Sequence, residues 1–173
     1  MYKRDKAIKD IKLEKELFEV INNCKVCHIG FVDNAQPYVL AFCFGFDGRA
    51  IFLHCAKEGR KINILEKNNN VCIEFDAFHE LFARDKEMAC SWRMRYKSVL
   101  IFGKAQFITD YDLKVEGLKT LMKNYSDLSF NFSAPSINNI NVIKIDIAQI
   151  SGRKFEYLVS CQKTKVNLYL TST

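Results

Sequence analysis

Apolar residues recur along this chain at two spacings, which outline its elements. From Asp5 to Asn23, Ile8, Ile11, Leu17, Phe18 and Ile21 fall at rough helical spacing, with Asp5 able to cap the start and Asn22-Asn23 a plausible stop. Val26–Val32 (VCHIGFV) then reads as a strand that ends in the turn Asp33-Asn34-Ala35-Gln36. Pro37–Phe46 (PYVLAFCFGF) reads as a long aromatic strand, with proline acceptable at its start. Asp47-Gly48 signals a hairpin into Arg49–Cys55 (RAIFLHC), so these three strands are expected to be antiparallel neighbours. Lys57–Asn70 predicts a short helix with Ile62 and Leu65 inward, ended by asparagines. Val71–Phe78 is another strand, whereas His79–Arg95 shows no readable period. Lys97–Ile108 is a long strand with Gly103 placed for a bulge. Asp110 caps a helix whose apolar face is Val115, Leu118, Leu121, Met122 and Tyr125. In Ile140–Ile150, Ile143, Ile145 and Ile147 alternate with Lys144 and Asp146, the mark of a last half-buried strand.

About six strands with three helices set among them, and tight hairpins early on, predict an α+β fold: mainly β, an antiparallel barrel with peripheral helices. The 173 residues suit one domain, with residues 155–173 as a C-terminal extension of unclear role. There is no internal repeat and no low-complexity linker.

Composition narrows the setting. No apolar run approaches the roughly 18 residues of a membrane span, and the N-terminus MYKRDKAIKD lacks the apolar core of an export signal. A cytoplasmic protein with no membrane partner is expected, and its seven cysteines are expected to be reduced thiols. The net charge of +6 is spread along the chain and mixed with acids, so it fits a mildly basic surface or a small anionic ligand better than nucleic acid.

Asn23–Asp33 contains Cys24-x-x-Cys27-His28, the pattern that attaches a c-type haem. Here Cys24 falls just past the first helix and Cys27 in a strand, so odd spacing would point them to opposite faces. Covalent attachment needs both thiols and the histidine on one helical turn. The plainer reading makes Cys27 a small buried hydrophobe and His28 a strand histidine with a local partner. No second C-x-x-C exists to complete a zinc site, and no cysteine-based metal centre is expected.

Phe52–Leu65 (FLHCAKEGRKINIL) carries more chemistry. Lys57, Arg60 and Lys61 lie in or beside the first turn of the predicted helix, where cations oppose the macrodipole and only Glu58 offsets them. Free amides plus three cations suit a phosphate, and Gly59 permits close backbone approach. Solvated surface side chains are the alternative. In the neighbouring strand large residues (Tyr38, Leu40, Phe42, Phe44) alternate with small ones (Val39, Ala41, Cys43), leaving room for a flat ring against the backbone. His54 ends the adjacent strand just before the phosphate loop. There is no G-x-G-x-x-G, P-loop, G-x-S-x-G or H-E-x-x-H.

The blocks CHIGFVDNAQPYVLAFCFGF, IFLHCAKEGRKINILEKNNNVCIEFD, ACSWRMRYKSVLIFGKAQFITD and LKTLMKNY, in that order, resemble the flavin-binding split-barrel proteins related to pyridoxamine 5'-phosphate oxidase. The resemblance is in particular to the nitroimidazole-resistance branch and runs over about Met1 to Lys154. The resemblance implies a six-stranded split barrel that forms a homodimer, with FMN, or alternatively FAD, at the dimer interface. It implies that His54, Cys55 and Ala56, with Arg60 and Lys61, hold the flavin phosphate. Val39, Leu40, Ala41 and Phe42 would border the isoalloxazine. Tyr96 and Ser98 would approach the cofactor, from their own or the partner subunit, and His54 would act as catalytic proton donor. Cys55 stands where the family commonly has serine, which removes one phosphate hydroxyl, and the tail Ser160–Thr173 has no placeable counterpart.

The function so implied is that of a flavin-dependent oxidoreductase passing electrons to a small acceptor such as a nitroaromatic. Within the same fold, a haem-binding or haem-degrading protein could use the same cations with His28 or His54 on iron. A non-catalytic flavin-binding protein is the other alternative.

Overall fold

The computed structural model describes residues 8–155. Eight strands form one antiparallel sheet, in the order β3-β2-β6-β7-β8-β5-β4, with β1 added on β8. The strands are β1 (Ile8–Ile11), β2 (Cys27–Asp33), β3 (Gln36–Phe42), β4 (Gly45–Phe46), β5 (Ala50–Ala56), β6 (Asn70–Ala83), β7 (Trp92–Ile108) and β8 (Ile140–Phe155). The helices are α1 (Glu14–Asn23), α2 (Arg60–Lys67), α3 (Tyr111–Lys123) and α4 (Ala134–Asn138). The ends of the sheet, β3 and β4, are consecutive in sequence, with only Cys43 and Phe44 between them. Phe42 and Gly45 therefore lie at most about 11 Å apart, and the sheet is rolled nearly onto itself. No ladder joins β3 to β4, so the barrel is split there.

The mainly-β α+β class and the split-barrel architecture agree with the expectation; several elements do not. The single helix expected over Asp5–Asn23 is a strand followed by a helix. Ile8 and Ile11 pair with Phe155 and Gly152 of β8, and Leu13 is extended (φ −92°, ψ 123°) before α1 begins. Backbone pairing and the burial of Ile11 hold this segment as a strand. Asp5 and the tail Ser160–Thr173 lie outside the described residues.

The long strand Pro37–Phe46 is also broken. Phe44 is fully buried, and its amide donates to Tyr125 Oη (2.8 Å) instead of to a neighbouring strand. Tyr125 in turn donates to the Lys25 carbonyl (2.9 Å), and Asn124 Nδ2 donates to the Phe44 carbonyl (3.2 Å). The end of α3 thus takes over the hydrogen bonds that a continuing strand would make. Because of this break, β3 pairs with β2 and β5 pairs with β4 and β8, and β3 and β5 are not neighbours as expected.

The turns follow the sequence. Asn34 takes a left-handed φ of 55° between β2 and β3. At the β4–β5 hairpin Asp47 Oδ1 accepts from the amides of Arg49 (2.8 Å) and Ala50 (2.7 Å). Asp110 caps α3 by accepting from the Leu113 amide (2.9 Å). The β7–β8 register shifts between Phe102 and Gly103, where a bulge was expected.

Inward residues of the strands, among them Ile29, Ile51, Leu53, Ile73, Phe75, Val99, Ile101, Ile143 and Ile145, form the main core beneath α1 and α2. A smaller cluster, Leu118, Ile137 and Val142, fixes α3 and α4 to the outside of β8. Among the described residues no helix is long and apolar enough to cross a membrane.

Candidate functional site

β5 runs straight into α2, so His54, Cys55 and Ala56 lead through Lys57 and Glu58 to the helix start. Gly59 is its N-cap, at φ 123° and ψ 170°, a conformation that L side chains rarely adopt. No side chain caps α2 and its first turn holds no acid. The Ile62 and Asn63 amides donate to the Gly59 carbonyl (2.9 and 3.3 Å), which leaves the Arg60 and Lys61 amides at the helix start for an external acceptor, beside their own cationic side chains.

Arg60 is already positioned. Its Nε and Nη2 each lie 2.9 Å from Asp33 Oδ2, and its guanidinium sits 4.4 Å above the Tyr38 ring. Asp33 ends β2 and Tyr38 lies on β3, so these contacts dock the helix start against the β2–β3 hairpin. A guanidinium has five donors, so the pair with Asp33 leaves others for an anion.

On β3, Tyr38, Leu40 and Phe42 pack half-buried against the core, while Val39 and Ala41 face outward. Across the ladder Val39 faces Gly30 and Ala41 faces His28. The outward surface here is small side chains and backbone at Val39, Ala41 and Gly30, with the exposed His28 ring beside Ala41. His54 is exposed, opposite Val142 on β8.

Cys55 points the other way. Its side chain is buried in the core, and burial pushes its thiol pKa up, with Lys61 pulling against that. With the side chain turned inward, a serine hydroxyl at this position would gain little outward reach.

Tyr96 and Ser98 are not brought to this end. They lie on β7, and β2 and β6 stand between β7 and β3, so the gap is about 14 Å across the sheet. Tyr96 stacks on Phe155 with ring centroids 6.1 Å apart.

The Cys24-x-x-Cys27-His28 motif does not form a haem attachment site. Cys24 and Cys27 do not face opposite ways as expected; both thiols are buried, because Cys24 precedes the strand alternation. Cys24 Sγ donates to the carbonyls of Val20 and Asp76, both at 3.3 Å. Burial pushes the Cys24 thiol up to about 11 and the Cys27 thiol up to about 12. His28 points outward and pairs with Glu74, Nδ1 to Oε2 at 3.5 Å.

Sequence reasoning missed two groups. Asp33 reads locally only as a turn residue, and its hold on Arg60 depends on where α2 docks. Glu74 and Asp76 lie on the outward face of β6 beside His28 of β2, and the strand pattern of Val71–Phe78 alone does not show that they meet it. Burial first, then the neighbouring Asp76, keeps the Glu74 carboxyl above the usual range, though His28 and His79 pull it down.

Comparison with known proteins places this geometry in context. The family model described as pyridoxamine 5'-phosphate oxidase matches residues 14–154. A crystal structure of a candidate 5-nitroimidazole antibiotic resistance protein from Bacteroides thetaiotaomicron superposes with a TM-score of 0.78 at 33% identity, covering 86% of this chain and 87% of that one. The flavocytochrome Anf3 from Azotobacter vinelandii gives 0.72 at 19% identity, covering 90% of this chain and 72% of its own. The FAD and haem binding protein from Mycobacterium smegmatis gives 0.74 at 17% identity, with 86% and 74% covered. The last two are alike in fold. No curated protein matches the chain significantly.

Proposed function

The chain belongs to the pyridoxamine 5'-phosphate oxidase family, and from that premise we propose that it is a flavin-binding oxidoreductase, with FMN as the expected cofactor and FAD as the alternative. The observation that carries the reading is the juxtaposition of an uncapped, cationic helix start with an outward strand face of small residues. The first suits a phosphate and the second suits a flat ring. The structural relatives described as flavin proteins support it.

In this reading Arg60, Lys61 and the first amides of α2 hold the phosphate, with the main chain of His54, Cys55 and Ala56 lining its approach. Val39 and Ala41 leave the ring its place, and the backbone of Leu40 and Phe42 borders it. Bound flavin supplies the redox chemistry. The His54 side chain makes no hydrogen bond or ion pair to another described residue, and its exposed ring can deliver a proton to an acceptor bound above the site.

The protein acts as a homodimer. Val39, Leu100 and Phe102 are 60%, 36% and 46% exposed on the outward sheet face, an apolar surface of the kind an interface covers. Tyr96 and Ser98 of the partner subunit would complete the site that they cannot reach within one chain. The acceptor is a small oxidant, and nitroimidazoles are the class to test first, given the Bacteroides relative.

The test is titration of the flavin-free protein with FMN and with FAD, followed by reduction with NADPH or NADH and re-oxidation by a nitroimidazole. Saturable binding and acceptor-dependent re-oxidation are expected. Binding without re-oxidation would leave a flavin protein that is not a nitroreductase, and no binding of either flavin would overturn the reading.

A further inference from the structure

Two of the chain's three histidines converge on two carboxylates of the outward sheet face. His28 on β2 faces Glu74 on β6 directly across the ladder. Asp76 follows two residues later, on the same face of β6. One ligand atom from each of His28, Glu74 and Asp76 lies within 4.8 Å of the other two. His79 reaches this trio through Asp76, with Nε2 2.7 Å from Asp76 Oδ2.

Regular strand alternation would put residue 79 on the face opposite Asp76. The backbone prevents this. Pairing of β6 with β7 shifts between Ala77 and Glu80, and Phe78 takes a left-handed φ of 59°. An aromatic residue adopts that conformation at a cost, and its effect is to turn His79 back onto Asp76. Among the described residues each carboxylate has a histidine as its ion-pair partner, not a lysine or arginine.

We propose that His28, Glu74, Asp76 and His79 bind a divalent transition-metal ion of the zinc class. Two imidazole nitrogens with two carboxylate oxygens suit zinc and its first-row neighbours, whereas calcium and magnesium favour oxygen alone. Zinc takes such donors at about 2.0–2.2 Å, which puts them about 3.4 Å apart in a tetrahedron. For His28, Glu74 and Asp76 the observed separations reach that with shifts of up to about 1.5 Å in side chains that are exposed or half-exposed, and His79 already touches Asp76. The site does not depend on bound flavin, although Ala41, at the proposed ring, lies directly across the ladder from His28.

The test is equilibrium dialysis of the chelator-stripped full-length protein against zinc, with metal measured by mass spectrometry. One zinc per chain is expected, with a Kd in the micromolar range or below. His28→Ala and His79→Ala should each weaken uptake at least tenfold, and His79→Ala should do so without altering flavin content. Melting curves check the fold, and added zinc should raise the melting temperature of the wild type more than that of either variant. Absence of saturable uptake by the wild type would overturn the proposal. So would uptake unchanged in both variants, since that places the ion elsewhere, on thiols.

Discussion

Asp33 holds Arg60 by two donors at once, Nε and Nη2 each 2.9 Å from the same carboxylate oxygen. The pair joins the end of β2 to the start of α2, and the Tyr38 ring beneath the guanidinium completes the clamp. Both side chains are partly exposed, so the ion pair adds little to stability, about 0–1 kcal/mol. Its consequence is positional: the cation assigned to the phosphate is oriented before any anion arrives.

Arg60→Ala together with Lys61→Ala should therefore release flavin while leaving the protein folded. Loss of one charge-assisted contact costs about 1.5–3 kcal/mol, which is at least tenfold in Kd for Arg60 alone. Asp33→Asn should act differently, because it removes a competing carboxylate and leaves the arginine free. Its flavin affinity should stay within a few-fold of wild type. Fluorescence titration of the three proteins checks this, and a double variant that keeps stoichiometric flavin would remove the phosphate assignment.

Buried thiols give a second prediction. Cys24, Cys27 and Cys55 are buried with raised pKa values, whereas Cys43 and Cys90 are exposed. Brief alkylation at pH 8, followed by peptide mass analysis, should label Cys43 and Cys90 in the native protein. Cys24, Cys27 and Cys55 should react only after unfolding. Rapid native labelling of Cys24 and Cys27 would contradict their burial.

Glu16 on α1 ties the helix to the sheet through Lys154 (2.8 Å) and Lys97 (3.1 Å). Burial raises its pKa, but the hydrogen bonds and charges of the two lysines outweigh that and hold the carboxyl below its ordinary value. The unfolded chain therefore takes up this proton first as pH falls. The stabilisation is present above the ordinary value of 4.5 and fades as pH drops below it, toward the lower folded pKa. Urea unfolding between pH 7 and pH 3 should show a smaller pH-dependent loss of stability in Glu16→Gln than in the wild type.

The break after β3 gives a fourth prediction. A Cβ at Gly45 would lie 2.5 Å from the backbone Cα and N of Leu121, where α3 crosses β4. Neither backbone can yield cheaply, so Gly45→Ala should destabilise by about 3 kcal/mol, the upper end of overpacking costs. Tyr125→Phe removes the acceptor of the Phe44 amide and the donor to Lys25. A cost of about 1–3 kcal/mol is expected for the amide left unpaired. Chemical denaturation measures both.

Much of the fold is legible in the sequence because the barrel strands bury one face and alternate with period two. Asp47-Gly48, Asp110 and Gly103 mark their hairpin, cap and bulge through local backbone chemistry alone. The misread segments are those decided by distant partners. Ile8 and Ile11 fit a helix until β8 offers them a strand to pair with. Phe44 continues a strand until Tyr125, 81 residues away, takes its amide. The same limit applies to the site. The cations of α2 are visible locally, whereas Asp33 beside Arg60 and the convergence of His28, Glu74, Asp76 and His79 need the sheet register and the bulge at Phe78.

The visible absorption spectrum of the purified protein, with mass analysis of whatever heat releases, tests the central claim most directly. Paired flavin bands with the mass of FMN or FAD are predicted. A Soret band would assign the site to haem, and a colourless protein that also refuses added FMN and FAD would contradict the flavin reading.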